Sequence, residues 1–170
     1  MILGGKFWSE TQKSRIFAVD MQIMEQLQVD FKQIHAEAEV CHVRLDSLFF
    51  EQLDQDEING GEVDVELSLK EEGDVYVVGV RVTGHVVVPC DRCMANLELP
   101  VSCGEVLKFR YGSGADDADG EYEWIHDLTA PYDLSWTVYE IIAVSLPVSR
   151  THDEADCDET MMTVLRQYRK

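Results

Sequence analysis

The sequence predicts an α+β fold: an antiparallel β-meander, curling into a partly open, barrel-like sheet, packed by one or two C-terminal helices. Three observations predict it. Between residues 63 and 111 apolar side chains recur at every second position, the period of half-buried strands. Between residues 134 and 168 the recurrence changes to the three-and-four spacing of helices. The strand-like segments all precede the helix-like ones, unlike the alternating order that builds parallel sheets.

Taken in order, residues 1–28 form an N-terminal extension of uncertain order. Ile16-Phe17-Ala18-Val19 is apolar and Met21, Met24 and Leu27 could continue a helix, but no residue caps it, and Met21 or Met24 is a candidate original start. Val29 to Lys32 and Val40 to Leu45 read as a first pair of strands, followed by an apolar knot at Leu48-Phe49-Phe50 and an acidic turn from Glu51 to Glu57. After Asn59-Gly60-Gly61, Val63, Val65, Leu67 and Leu69 alternate with Glu62, Asp64, Glu66 and Ser68, and Gly73-Asp74 turns the chain. Tyr76, Val78, Val80, Val82, Val86 and Val88 keep one parity through Gly79 and Gly84, which suggest bends or bulges. Beyond the Pro89–Cys93 turn, Leu97, Leu99, Val101, Cys103, Leu107, Phe109 and Tyr111 again share a parity.

The segment Gly112 to Gly120 is an acidic loop, and Trp124, Ile125 and Leu128 form a short strand or docking segment. Asp133 is the expected N-cap of a helix over 133–146, whose face is Leu134, Val138, Ile141, Ile142 and Leu146 and which Pro147 stops. A last helix, capped by Asp156 or Asp158, carries Met161, Met162, Leu165 and Tyr168 and ends in Arg166, Arg169 and Lys170, where the helix dipole favours cations. The expected organisation is therefore an extension over 1–28, a β-rich domain over 29–149, and an acidic arm with a C-terminal helix over 150–170.

Charge narrows the function classes. Fourteen Lys and Arg face 33 Asp and Glu among 170 residues, a net charge of −19. Such a surface repels phosphate, which argues against an autonomous duplex-binding domain and for basic proteins, or nucleic acid already coated by them, as partners. Local exceptions that could touch RNA are Lys108 with Arg110, Arg81, and Arg166 with Arg169 and Lys170. No run approaches the roughly 18 apolar residues of a membrane span, and no export signal is visible, so a cytoplasmic location is expected. Five cysteines without an export signal fit free or metal-bound thiols better than a disulfide framework.

One compact motif carries chemistry: Cys90-Asp91-Arg92-Cys93. Two thiolates at this spacing, on a turn after a strand, grip one face of a tetrahedral Zn²⁺. No second C-x-x-C exists, and His152 with Cys157 is the best remaining pair, which would complete a structural Cys₃His site tying the C-terminal arm to the hairpin. Two other readings stand beside it. A thiol-redox or zinc-dependent enzyme could use Cys90 and Cys93, although a redox C-x-x-C sits at a helix N-terminus and Met94 to Pro100 head into a strand. The pair could also be two free thiols in a tight turn, with Arg92 paired to a carboxylate. His35, His42, His85 and His126 are dispersed, and no hydrolase, zinc-protease or P-loop motif is present. Asp116, Asp117, Asp119 and Glu121 lack the frame of a Ca²⁺ loop, and Trp124, Trp136 and Tyr139 read as core. Nothing argues for catalysis.

The residues Leu45 to Phe50, Val63 to Leu69, and Val82-Thr83-Gly84-His85 running into Cys90-Asp91-Arg92-Cys93-Met94 resemble the YceD family, the large ribosomal RNA subunit accumulation proteins. The downstream order is similar too: a strand to Tyr111, an acidic loop, and an Asp133 to Ile142 helix ending in Leu146-Pro147. The resemblance covers about residues 29–160. It implies a bacterial or organellar, cytoplasmic, non-enzymatic factor in ribosome biogenesis, needed for 23S rRNA accumulation. Members are commonly encoded beside a small ribosomal protein of the large subunit, which makes such a protein, or a pre-ribosomal particle, the expected partner. Many members carry a second cysteine cluster near the C-terminus that completes a metal site, where this sequence has His152 and Cys157. Asp91 and Arg92, in the least generic stretch of the chain, are the partner-binding candidates.

Overall fold

A computed structural model describes residues 27–113 and 120–168. The apolar residues 16–19, Met21 and Met24, the loop aspartates Asp116, Asp117 and Asp119, and the terminal Arg169 and Lys170 lie outside them. The element order is β1 (Gln28–Val29), a 3₁₀ turn (Phe31–Gln33), β2 (Glu39–Leu45), α1 (Ser47–Gln52), β3 (Gly60–Glu72), β4 (Val75–Pro89), β5 (Asn96–Tyr111), β6 (Glu123–Ile125), β7 (Tyr132–Asp133), α2 (Ser135–Ser145) and α3 (Glu159–Tyr168). The fold is α+β. Its five-stranded sheet runs β2-β3-β4-β5-β6, antiparallel except for the parallel β5–β6 pair, and it does not close into a barrel.

The meander is the part dictated most directly by alternation. Val63, Val65, Leu67 and Leu69 on β3, and Val78, Val80, Val82, Val86 and Val88 on β4, are all buried on one face. Pairing of β4 with both neighbours is continuous through Gly79 and Gly84, so neither glycine marks a bulge. Gly84 has another reason to be glycine. Its φ is +151°, and a Cβ there would lie 2.3 Å from the Glu62 carbonyl oxygen and 2.7 Å from Val63 Cα. On β5 only Val101 and Phe109 are buried; Leu97, Leu99, Cys103 and Leu107 are half-buried against the core, and Tyr111 is exposed.

The apolar knot is the short helix α1. The Asp46 carboxylate accepts from Leu48 N–H (3.0 Å), and Phe49 and Phe50 are fully buried against the sheet. The expected strand at 29–32 is shorter and pairs elsewhere. Gln28–Val29 pairs with Tyr132–Asp133 rather than with β2, and Asp30 caps the 3₁₀ turn that follows. Tertiary packing decides this: Phe31 enters an aromatic cluster with Tyr76, Phe109 and Tyr132, at centroid distances of 5.1–5.9 Å. Leu27, fully buried, accepts a hydrogen bond from Leu134 N–H at the start of α2.

Asp133 is not the N-cap of α2: that position is Leu134, which makes no side-chain cap bond, and the Asp133 carboxylate, one residue earlier at the end of β7, accepts from Ser135 N–H at 2.8 Å; Leu134, Val138, Ile141 and Ile142 face the core. Trp136 corrects the expectation of a core aromatic. It stands half-exposed, with its indole N–H donating to Glu140 one turn on. The last helix is capped by Asp158, not Asp156: its carboxylate accepts from Met161 N–H. Of its apolar stripe only Met162 is buried, while Met161, Leu165 and Tyr168 remain exposed, since α3 docks on a side cluster rather than on the main core.

Candidate metal centre

The Cys90–Cys93 turn follows the last residue of β4 and is closed by two backbone bonds, Cys90 N–H to Ala95 C=O and Met94 N–H to Cys90 C=O, both 2.9 Å. Met94 takes the left-handed conformation, φ +62°, that lets the chain reverse into β5. The motif thus leads into a strand, and the helix N-terminus that activates a redox C-x-x-C is absent from it.

Beyond α2 and Pro147 the chain returns to this turn. Asp91 and Arg150 exchange two bonds: Asp91 N–H donates to Arg150 C=O (2.7 Å), and Arg150 N–H donates to the Asp91 carboxylate (2.6 Å). The Arg150 guanidinium donates to Glu57 (2.9 Å). Glu57 is itself placed by the Gln55 side chain, which accepts from Glu57 N–H and Ile58 N–H. Glu57 therefore holds the carboxylate-to-cation link with Arg150, while Asp91 joins Arg150 through its backbone. Arg92, expected to pair with a carboxylate, instead donates to His152 C=O (3.4 Å) and towards Cys157 Sγ (3.8 Å). Its planar fork serves the two ends of the returning arm.

These links bring Cys90, Cys93, His152 and Cys157 together, their ligand atoms all within 4.8 Å of one another. The three thiols are buried, and Met162 of α3 packs against them. Cys93 Sγ lies 3.5 Å from His152 Nδ1. A tetrahedron with Zn–S near 2.3 Å and Zn–N of about 2.0–2.1 Å has an S···N edge of about 3.6 Å. His152 Nε2 lies 3.1 Å from the Asn96 carbonyl, which must accept its N–H. That bond fixes the tautomer and leaves the Nδ1 lone pair facing the thiols, as metal-ligating histidines arrange it.

The electrostatics favour thiolates at Cys90 and Cys93 and oppose one at Cys157. Burial pushes the Cys90 thiol up, but the N–H groups of His152, Arg92 and Cys93 outweigh it and bring it down to about 6. Cys93 is lowered chiefly by the N–H of Asp158 at the head of α3, against the opposing effect of burial. His152 is raised by the neighbouring sulfurs of Cys93 and Cys90. Cys157 is raised by burial and then by Cys93, with Arg92 opposing. Soft thiolates with one imidazole suit Zn²⁺, and the C-x₂-C…H-x₄-C spacing lies within the range of structural zinc sites. Were all four to hold one tetrahedral ion, no position would remain for water or substrate.

Sequence reasoning named all four clustered residues but missed the neighbours that hold them, Arg150, Asn96 and Met162. Only the position of Arg150 two residues before His152 hinted at a role. Of the basic candidates, Arg166 lines a pocket beside this centre together with Asp91, Arg92 and Met162; Lys108 and Arg110 both stand over Tyr122, paired with Glu121 and Asp74, and Arg81 sits on the exposed sheet face opposite Glu66. His35, His42, His85 and His126 remain dispersed, with His126 bonded to Gly112 C=O. Among the described residues no helix is long and apolar enough to cross a membrane.

Comparison with protein families gives one finding: the profile described as "Large ribosomal RNA subunit accumulation protein YceD" matches residues 78–165, just over half of the chain and inclusive of all four clustered residues. No curated protein and no solved structure gives a significant match.

Proposed function

The chain belongs to the YceD family of large ribosomal RNA subunit accumulation proteins, and from that membership we propose that it is a non-enzymatic factor of large-subunit biogenesis, supporting 23S rRNA processing or accumulation in the cytoplasm by binding a basic large-subunit protein or precursor particle. The observation that carries this reading is the family match across the Cys90 turn, α2 and α3. The charge of −19 supports a protein contact over direct gripping of RNA, since association with a cationic partner is then fast and phosphate is repelled.

Zn²⁺ bound by Cys90, Cys93, His152 and Cys157 would supply a structural cross-link and no reactive centre. The work of the chain's own residues is mechanical. Asp91 and Arg150 draw the C-terminal arm onto the hairpin, and Arg92 spans His152 and Cys157. Asn96 orients the imidazole, and Met162 seats α3 over the sulfurs. A partner that reads Asp91 and Arg92 reads a surface shaped by this cross-link.

Two experiments test the proposal. Deletion of the gene should lower large-subunit RNA selectively, and unchanged 23S rRNA in a clean deletion overturns the biogenesis role. Tagged protein purified at near-physiological salt should bring down large-subunit proteins and precursor RNA. For the centre, metal analysis of protein prepared under reducing, chelator-free conditions should give zinc that Cys90→Ser abolishes. Rapid alkylation of Cys90 and Cys93 together with no bound zinc would favour thiol-redox chemistry instead.

A further inference from the structure

On the far side of the sheet from β2, strand β5 is an open edge. Among the described residues its outer side pairs with β6 only at Phe109, Arg110 and Tyr111, which leaves the stretch from Leu97 to Leu107 without a neighbouring strand. Beside that edge lies a groove of about 620 Å³ between β5 and α2. Its walls carry Glu105, Glu123 and Glu140, the half-exposed Trp136 and the exposed Val144, and among the described residues no Lys, Arg or His lines it.

From this juxtaposition we infer that the β5–α2 groove takes an extended basic segment of a partner protein, which adds to the sheet as a strand beside β5. It deepens the reading that the partner is a basic protein and rests on it. The chemistry follows from three features. Unpaired backbone N–H and C=O groups of an edge strand are satisfied by an incoming extended chain, the main-chain source of affinity in strand addition. Side chains of that chain alternate, so one set meets Trp136 and Val144 while the other meets the glutamates. Three carboxylates without a cation select lysine or arginine and repel phosphate, so RNA does not fit the groove. A second copy of this chain is disfavoured for the same reason, since it would bring another −19 and its own Glu105 to the edge.

The test uses the full chain and, as probe, a blocked peptide of about twelve residues alternating arginine and valine, long enough for the open stretch of β5. The control peptide has the same sequence and charge with alternate backbone nitrogens methylated. Titration should show at least about tenfold weaker binding of the methylated peptide, and the unmodified one should slow amide exchange along residues 97–107. Glu105→Lys with Glu140→Lys should abolish binding, whereas Glu37→Lys with Glu51→Lys, an equal change of charge outside the groove, should weaken it far less. Both pairs are exposed residues, and thermal unfolding checks that each variant is folded. Equal binding of the two peptides, equal loss in the two variants, or a dimer of the free protein that protects β5 overturns the inference. Retrieval of large-subunit proteins by the Glu105→Lys, Glu140→Lys variant at the wild-type level overturns the groove but leaves the biogenesis role standing. Loss of 23S dependence in the deletion fails that role and leaves the peptide result unaffected.

Discussion

At the scale of single residues, His152 is held by two opposite demands. Its Nε2–H is committed to the Asn96 carbonyl and its Nδ1 faces Cys93, so only an acceptor at Nδ1 serves the cluster. His152→Cys should therefore keep zinc, because a fourth thiolate satisfies the metal, while His152→Ala should lose it. Metal analysis of both proteins distinguishes a ligand from a packing residue. Arg150 is the other decisive residue, joined to Asp91 through its backbone and to Glu57 through its guanidinium. Arg150→Ala leaves the backbone pair intact and removes the charged bond to Glu57, a cost of about 1–2 kcal/mol. That should lower Tm by about 3–6 °C in a chain of this length. An unchanged Tm would mean that the guanidinium link holds nothing in place.

At the scale of elements, α3 and the meander differ in what holds them. The meander buries alternate valines and leucines along β3 and β4, whereas α3 is a ten-residue helix with one buried side chain, Met162, set on the cysteines. A helix shorter than about 12–15 residues is marginal in water without tertiary support. Chelation, or Cys157→Ser, should thus speed hydrogen exchange and proteolysis across 150–168 while protection of β3 and β4 stays unchanged. Uniform loosening of the sheet would show that the cluster supports the whole core. The same difference explains what could be read in advance. Period-two burial in β3 and β4 was legible because both strands are covered on one face along their length. The α3 stripe was legible as a helix but not as a weakly docked one, because amphipathic spacing does not report how much surface the rest of the fold has left to offer.

At the scale of the whole molecule, the charge of −19 sets the kinetics of association more than the shape of the fold. Association with a basic large-subunit protein should slow steeply as salt rises from low to physiological concentration, while dissociation changes little, which stopped-flow measurement at several ionic strengths checks. Bare 23S fragments should show no measurable retention by the isolated protein at physiological salt, because the basic candidates Lys108 and Arg110 are already paired with Glu121 and Asp74. Tight binding of naked RNA would relocate the functional surface to another face.

By itself the sequence determined the class of the fold, the meander, the helix α2 and the four residues of the candidate metal centre. These rest on local rules: the two-residue period of a strand, the three-and-four spacing of a helix's apolar face, and the preference of thiolate and imidazole for a tetrahedral ion. Only the tertiary structure decided that β1 pairs with β7, that Trp136 stands in solvent, that Arg92 serves the arm instead of a carboxylate, and that one side of β5 stays open. Each of these depends on which distant segments arrive at a place first to cover or pair it. Residues such as Phe31 and Arg150 owe their roles to partners 45 or more positions away, at Tyr76 and at Asp91 and Glu57, and no periodicity within a local window encodes that distance.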